Sequence, residues 1–443
     1  MHKVFRVAIF FGVWAVLYAV QNDLFYRLYK SKTIPKLGEL PHEITEKGKL
    51  LSWHGGIREP GWSKSLLLKY DRWNIRSPAV FVKEWDYYGI LTDSFGVALT
   101  VGDLGYACSL SASILDGFDT RHSSKTNTNP NNFNSPFLFS TEKNKRGVYE
   151  HTDTLITPSL GGKWRLPEDS RSGRTYGKIG ASSMEFTTTT SKDGSTIERK
   201  LIVHWDDFGT KDSERFTKRF GGVGLTCYIK LYEAVSDDTI VVATPFSESH
   251  RYFYYNQKSN CLNASGVVMV GSTKFDLTPG EAWGVLDWGR GVWAYSSSWV
   301  WSSASGLATL KNASAEEEEE ESGKVSKNNA VFGLNFGHGF GDLTTHSENC
   351  VFVNGVLHKF GVLNITYNKE DYLEKWTVKD SEGKVDLVMT PVYDRYAPTE
   401  FVVVSMVAHQ VFGSWSGTIT LEDGSVVTVN DIMGWSEFVA NRW

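Results

Sequence analysis

Beyond about residue 47 the chain is a succession of short apolar runs, each broken by glycine or a polar turn. Ala79-Val80-Phe81-Val82, the runs at 96–101, 226–231 and 401–408, and Gly417-Thr418-Ile419-Thr420-Leu421 are the clearest. β-Branched residues are frequent in them, and Asp193-Gly194, Asn354-Gly355 and Asp423-Gly424 supply the dipeptides that two-residue hairpin turns favour. Almost no stretch after the first residues sustains a helical period. The pattern predicts an all-β protein of antiparallel barrel or sandwich architecture. A chain of 443 residues exceeds one ordinary core, so two β domains are expected, 47–235 and 236–443. The division is placed at the polar break Ala234-Val235-Ser236-Asp237-Asp238.

The start departs from this pattern. Lys3 and Arg6 precede an uncharged apolar run over 7–20. As a helix it would be about 21 Å long, short of a hydrocarbon core of about 30 Å. Residues 1–22 therefore read as a signal peptide or, uncleaved, as a signal anchor forming an N-terminal hydrophobic helix. A polar linker over 23–46 follows. Three glycosylation triplets, at Asn263, Asn312 and Asn364, fit the same compartment. The expectation is a membrane or secretory-pathway protein (endoplasmic reticulum lumen or secreted), touching the membrane through its N-terminal segment. Two exposed loops are expected, a Ser/Thr/Asn-rich one at 120–136 and an acidic one at 315–328 that holds Glu316 to Glu321.

Composition narrows the chemistry. Aromatic residues make up 14% of the chain, a share that serves a large β core or the lining of an apolar cavity. A net charge of -5 with no basic stripe gives nucleic acid nothing to bind. The four cysteines (Cys108, Cys227, Cys261 and Cys350) include no C-x-x-C pair, so they make two disulfides in one of three pairings or stay buried thiols. There is no G-x-S-x-G element, and Gly337, Gly339 and Gly341 lack the Lys-Ser/Thr ending of a phosphate loop. No cofactor is predicted.

Several residues carry candidate chemistry. Asp287 and Arg290 lie among Trp283, Trp288 and Trp293. An Asp among indoles is desolvated and suits a general acid, whereas an Asp–Arg ion pair would lock an interface. In a regular strand 287 and 290 face opposite sides, so a direct pair needs a turn or bulge near Gly289 or Gly291. Glu84 and Asp86 share one strand face, with Trp85 and Tyr87 on the other. They read as an acid/base pair or as partners of Lys83 or Arg72 at the surface. His338, His346 and Glu348 match no metal signature. Glu437 reads as a final-strand carboxylate pointing into a barrel or serving a structural hydrogen bond.

Particular segments carry a resemblance: Glu59-Pro60-Gly61-Trp62, Lys83-Glu84-Trp85-Asp86-Tyr87-Tyr88, Asp103-Leu104-Gly105-Tyr106 and Leu286-Asp287-Trp288-Gly289-Arg290-Gly291-Val292-Trp293. Asn335-Phe336-Gly337-His338-Gly339-Phe340-Gly341-Asp342, His409-Gln410-Val411-Phe412-Gly413 and Gly434-Trp435-Ser436-Glu437 complete the set. In this order they resemble the domain-of-unknown-function 2804 family over about 47–443. More distantly, the layout is similar to the lipocalin-like group of AttH-like proteins, carotenoid hydratases, related cyclases and ceramide-carrying proteins. That resemblance implies two lipocalin-like β domains and an apolar cavity in one or between them. The expected function is to bind or carry a lipid or isoprenoid there. Trp85, Asp86, Tyr88, Trp288, Trp293, His338, Glu348 and Glu437 are the expected ligand-binding residues. The alternatives are a hydratase, cyclase or isomerase of isoprenoid-like substrates with Asp287 as acid beside Arg290, and a membrane-tethered scaffold without ligand.

Overall fold

The structure, a computed structural model, describes residues 42–118, 147–159, 164, 166–246, 250–312, 329–341, 347–400 and 405–442. Short strands β1 (Gly48–Lys49), β2 (Gly61–Ser63) and β3 (Leu68–Lys69) lead in. β4 (Val82–Leu91), β5 (Phe95–Asp103), β6 (Ala107–Asp116) and β7 (Tyr149–Pro158) form a meander, and β8 (Gly173–Ile179), β9 (Ser182–Thr190) and β10 (Thr196–Trp205) form another. Helix α1 (Ser213–Phe220) precedes β11 (Leu225–Ala234), β12 (Ile240–Pro245), β13 (Phe253–Val270), β14 (Thr273–Leu277) and β15 (Trp283–Val292). The main path of the sheet runs β7-β6-β5-β4-β15-β13-β11-β10-β9-β8. Its far edge, β8, packs back against β5, β6 and β7, so the sheet is a nearly closed barrel.

α1 is an element the hydrophobic pattern does not announce. It carries only two apolar residues, Phe216 and Phe220, both buried against Tyr149, before Gly221 caps it with a positive φ of 72°. The expected run at 79–82 is likewise a 3₁₀ turn, Ala79–Phe81, before β4 begins.

The second sheet contains β16 (Ser296–Lys311), β17 (Asn329–His338), β18 (Cys350–Val353), β19 (Val356–Lys359), β20 (Asn364–Thr366), β21 (Trp376–Lys379), β22 (Val385–Glu400), β23 (Ser405–Thr420) and β24 (Val426–Arg442). Its order is β19-β18-β17-β16-β24-β23-β22-β21-β20, a half-barrel. The chain leaves the first sheet only between Val292 and Ser296, not at the polar break near 235. That break is a loop from β11 to β12 within one sheet; the true crossing is short and follows a wholly buried strand, so no composition shift marks it.

One face of the half-barrel holds its own core, with Phe332, Leu334, Trp376, Met389 and Trp415. Its other face lies on the outside of β4, β13 and β15, which are therefore buried on both faces. A bulge helps join the two. The β13–β15 register slips between Ser259 and Leu262, and Cys261 adopts φ 61°. Asn260 there donates to Ser303 Oγ (2.9 Å) and the Leu334 carbonyl (3.0 Å), and the Cys261 N–H donates to Ser305 Oγ (3.0 Å).

The N-terminal run at 7–20, the loop at 120–136 and the acidic loop at 315–328 lie outside the described residues. Among the described residues no helix is long and apolar enough to cross a membrane. All four cysteines are unbridged thiols, the second of the two expected alternatives, with Cys108, Cys227 and Cys350 buried and Cys261 half-buried. Asn312 and Asn364 are exposed. Asn263 is half-buried in β13, where its side chain accepts from the Gly280 N–H (3.0 Å).

Candidate active site

Alternation decides what each strand offers to the contact between the sheets. β4 presents Trp85, β13 presents Tyr254 and Lys258, and β15 presents Asp287, with Trp293 just beyond its end. From the other side β16 presents Trp299 and Trp301 and β24 presents Glu437. Phe340 and Glu348 come from the connection between β17 and β18. Together they line a cavity of about 120 Å³. Its aromatic wall is continuous: Trp85 stacks on Tyr254 (5.8 Å between centroids) and meets Trp293 edge-on (4.9 Å). Phe340 stands edge-on to Tyr254 (4.5 Å), Trp293 (4.8 Å) and Trp299 (5.0 Å).

Two glycines make the geometry possible. A Cβ at Gly289 would stand 2.0 Å from Trp85 Cζ2, and one at Gly337 would stand 1.8 Å from Glu348 Oε1. Gly289→Val is thus expected to expel a rigid indole from a packed wall and to cost about 1–3 kcal/mol. Urea unfolding followed by tryptophan fluorescence checks it; an unmoved midpoint would show that Trp85 is not locked in place.

The polar groups form one cluster. Lys258 Nζ lies 3.5 Å from Asp287 Oδ2, 3.7 Å from Glu348 Oε2 and 3.3 Å from the Trp301 ring centre. The Asn256 amide donates to Asp287 Oδ1. Glu437 Oε1 accepts from Trp299 Nε1 (2.8 Å), and the Gln410 amide reaches its other oxygen (3.5 Å). Burial pushes the Glu437 carboxyl up to about 7, and the Asp287 charge adds to the rise, while the Trp299 hydrogen bond and Lys258 oppose it. The Tyr254 phenol is raised well above its usual range by burial and by the charges of Asp287, Glu348 and Glu437. The cluster therefore holds a phenol that stays protonated beside a carboxyl that exchanges its proton near neutrality.

Residues 41–443 match the model of a family described as a domain of unknown function, DUF2804. The chain belongs to the DUF2804 family. Among solved structures, it is similar to a protein from Nitrosomonas europaea assigned as an AttH, at 11% identity and a TM-score of 0.38, over 82% of this chain and 93% of that one. It is also similar to kievitone hydratase from Nectria haematococca, at 11% identity and a TM-score of 0.40, over 90% of this chain and 98% of that one. No curated protein matches it.

Of the expected site residues, the DUF2804 fold brings Trp85, Asp287, Trp293, Glu348 and Glu437 together at the cavity. It takes Asp86, Tyr88, Trp288 and Arg290 to the opposite strand faces, inside the barrel. Asp287 and Arg290 consequently do not pair, because β15 is regular there and neither flanking glycine introduces a bulge. Arg290 instead donates to Asp86 Oδ1 (2.9 Å) and to the Trp85, Gly289 and Pro167 carbonyls, over the Trp288 ring. Nor do Glu84 and Asp86 act as a pair or sit at the surface. Glu84 is buried with Arg72 Nη1 (2.5 Å) and the Tyr70 hydroxyl (2.6 Å). His338 is exposed at the end of β17, opposite Val300, and His346 lies outside the described residues.

Lys258, Tyr254, Trp299, Trp301 and Phe340 escaped the sequence reading. One signal was available: Tyr254, Asn256 and Lys258 alternate with the aromatic Phe253 and Tyr255 at the start of β13, where every residue from 253 to 260 is buried, so this polar face is directed at protein rather than water.

Proposed function

We propose that this DUF2804 protein is a small-molecule enzyme that exchanges a proton between Glu437 and a ligand held between the two sheets. The observation that carries this reading is the convergence of Asp287, Glu348, Glu437 and Lys258 from both sheets on one aromatic-walled cavity. Buried ionisable groups are costly and collect where chemistry needs them. The reaction class is acid–base, such as hydration, isomerisation or cyclisation of an unsaturated compound. Glu437 replaces Asp287 as the proton carrier, because Asp287 is tied to Asn256 and Lys258. The volume of about 120 Å³ suits a compact molecule or one end of a longer one, since an engineered apolar cavity of about 150 Å³ takes benzene.

The purified protein incubated in D₂O with a metabolite extract is expected to add one deuterium to a specific compound, and Glu437→Gln to abolish the labelling. Labelling by neither protein, or equally by both, would overturn the reading. The continuous aromatic wall favours one other reading, in which the cavity carries an apolar group without chemistry. That reading expects a co-purifying ligand, held equally well by the Gln variant.

A further inference from the structure

We infer that the cavity between the sheets is a cation site whose ligand bears a compact alkylated ammonium group; the inference rests on the reading of that cavity as the ligand site. Two independent features of the cavity are complementary to positive charge. The first is the wall of six rings, whose faces carry the negative side of the aromatic quadrupole. The second is the charge balance. Among the described residues of the lining, the three carboxyl groups of Asp287, Glu348 and Glu437 stand with one cation, Lys258. Its ammonium stands 3.5 and 3.7 Å from Asp287 and Glu348, beyond a close charge-assisted hydrogen bond, and lies against Trp301. Ionisation of Glu437 adds a third carboxylate to this lining, while Arg395 and Lys359, the cations that bear on Glu437 and Glu348, stand outside it.

Among the described residues, the other groups that bear on the charge of Glu437 are Arg395, which is not in the lining, the buried Tyr87 and Tyr254 phenols, and the neutral donors Trp299 and Gln410. An isolated ammonium with methyl or methylene groups satisfies both features at once. Its charge meets the carboxylates and its apolar shell meets the indoles. A neutral molecule of the same shape would meet only the rings, and an anion would be repelled.

Calorimetric titration of the full chain with choline and with its neutral isostere 3,3-dimethylbutan-1-ol tests the inference without any variant. Choline is expected to bind about tenfold or more tightly than the isostere. Its affinity should rise between pH 6 and pH 8 as Glu437 ionises, and Glu437→Gln should remove that rise. Equal binding of both compounds, tighter binding of the isostere, or no binding of choline at low ionic strength would overturn it. Deuterium labelling of a neutral compound without choline binding sinks the cation site but leaves the enzyme. Choline selectivity without labelling sinks the enzyme but leaves the cation site.

Discussion

Arg290→Ala is expected to lower the stability of the barrel by about 3–5 kcal/mol, the loss that follows when one member of a buried ion pair is removed. The side chain is 0% exposed and Asp86 is 5% exposed, so water does not readily replace the lost donors. Four acceptors depend on this guanidinium: Asp86 Oδ1 at 2.9 Å, and the carbonyls of Trp85 (2.7 Å), Gly289 (2.8 Å) and Pro167 (2.7 Å). After truncation Asp86 keeps the Thr175 hydroxyl but remains a buried charge. Arg290→Lys should recover only part of the loss, since one ammonium cannot span acceptors arranged around a planar fork. Denaturant midpoints of the three proteins check this. A loss below about 1 kcal/mol for the alanine variant would mean that the barrel interior hydrates easily. Asp287, only three residues away, carries a different expectation: Asp287→Asn should disturb the cavity far more than the fold.

That contrast explains what could be read from the sequence. Hairpins were legible because their turns are local: Asp193-Gly194 joins β9 to β10, Asn354-Gly355 joins β18 to β19 and Asp423-Gly424 joins β23 to β24. Asn354 and Gly355 both take positive φ, 49° and 82°, as their turn requires. Strands with one solvated face, such as β10 and β11, alternate cleanly. β4, β13 and β15 do not, because both of their faces are buried. Alternation could place Asp287 and Arg290 on opposite faces, but it could not say which face met the barrel interior and which met the second sheet. Five site residues were found for the aromatic and acidic character of their segments. Lys258 was missed because Asp287 meets it only through the pairing of β13 with β15, and Glu348 and Trp301 only through the docking of the two sheets. The crossing between the sheets was missed for the same reason.

Glu437→Gln is expected to make the protein more stable than the wild type at pH 8, by up to about 3 kcal/mol, and no more stable at pH 4. The sign follows from the shift. The carboxyl rises from 4.5 to about 7 on folding, so between those values the folded protein binds more protons than the unfolded chain. Its contribution is fully present below pH 4.5 and declines as pH rises through 7. The limit is about 3 kcal/mol, since each pKa unit is worth 1.36 kcal/mol. Glutamine still accepts from Trp299 Nε1 but carries no charge to desolvate at high pH, so the difference between the two pH profiles isolates the ionisation of this one group. Thermal or urea unfolding from pH 4 to pH 8 measures it. Parallel profiles would mean that Glu437 ionises as it does in the unfolded chain, and the proton-exchange reading would lose its acid. Diverging profiles would mean that the fold retains an ionisable group where a neutral one is more stable, which is the mark of a residue kept for chemistry rather than for packing.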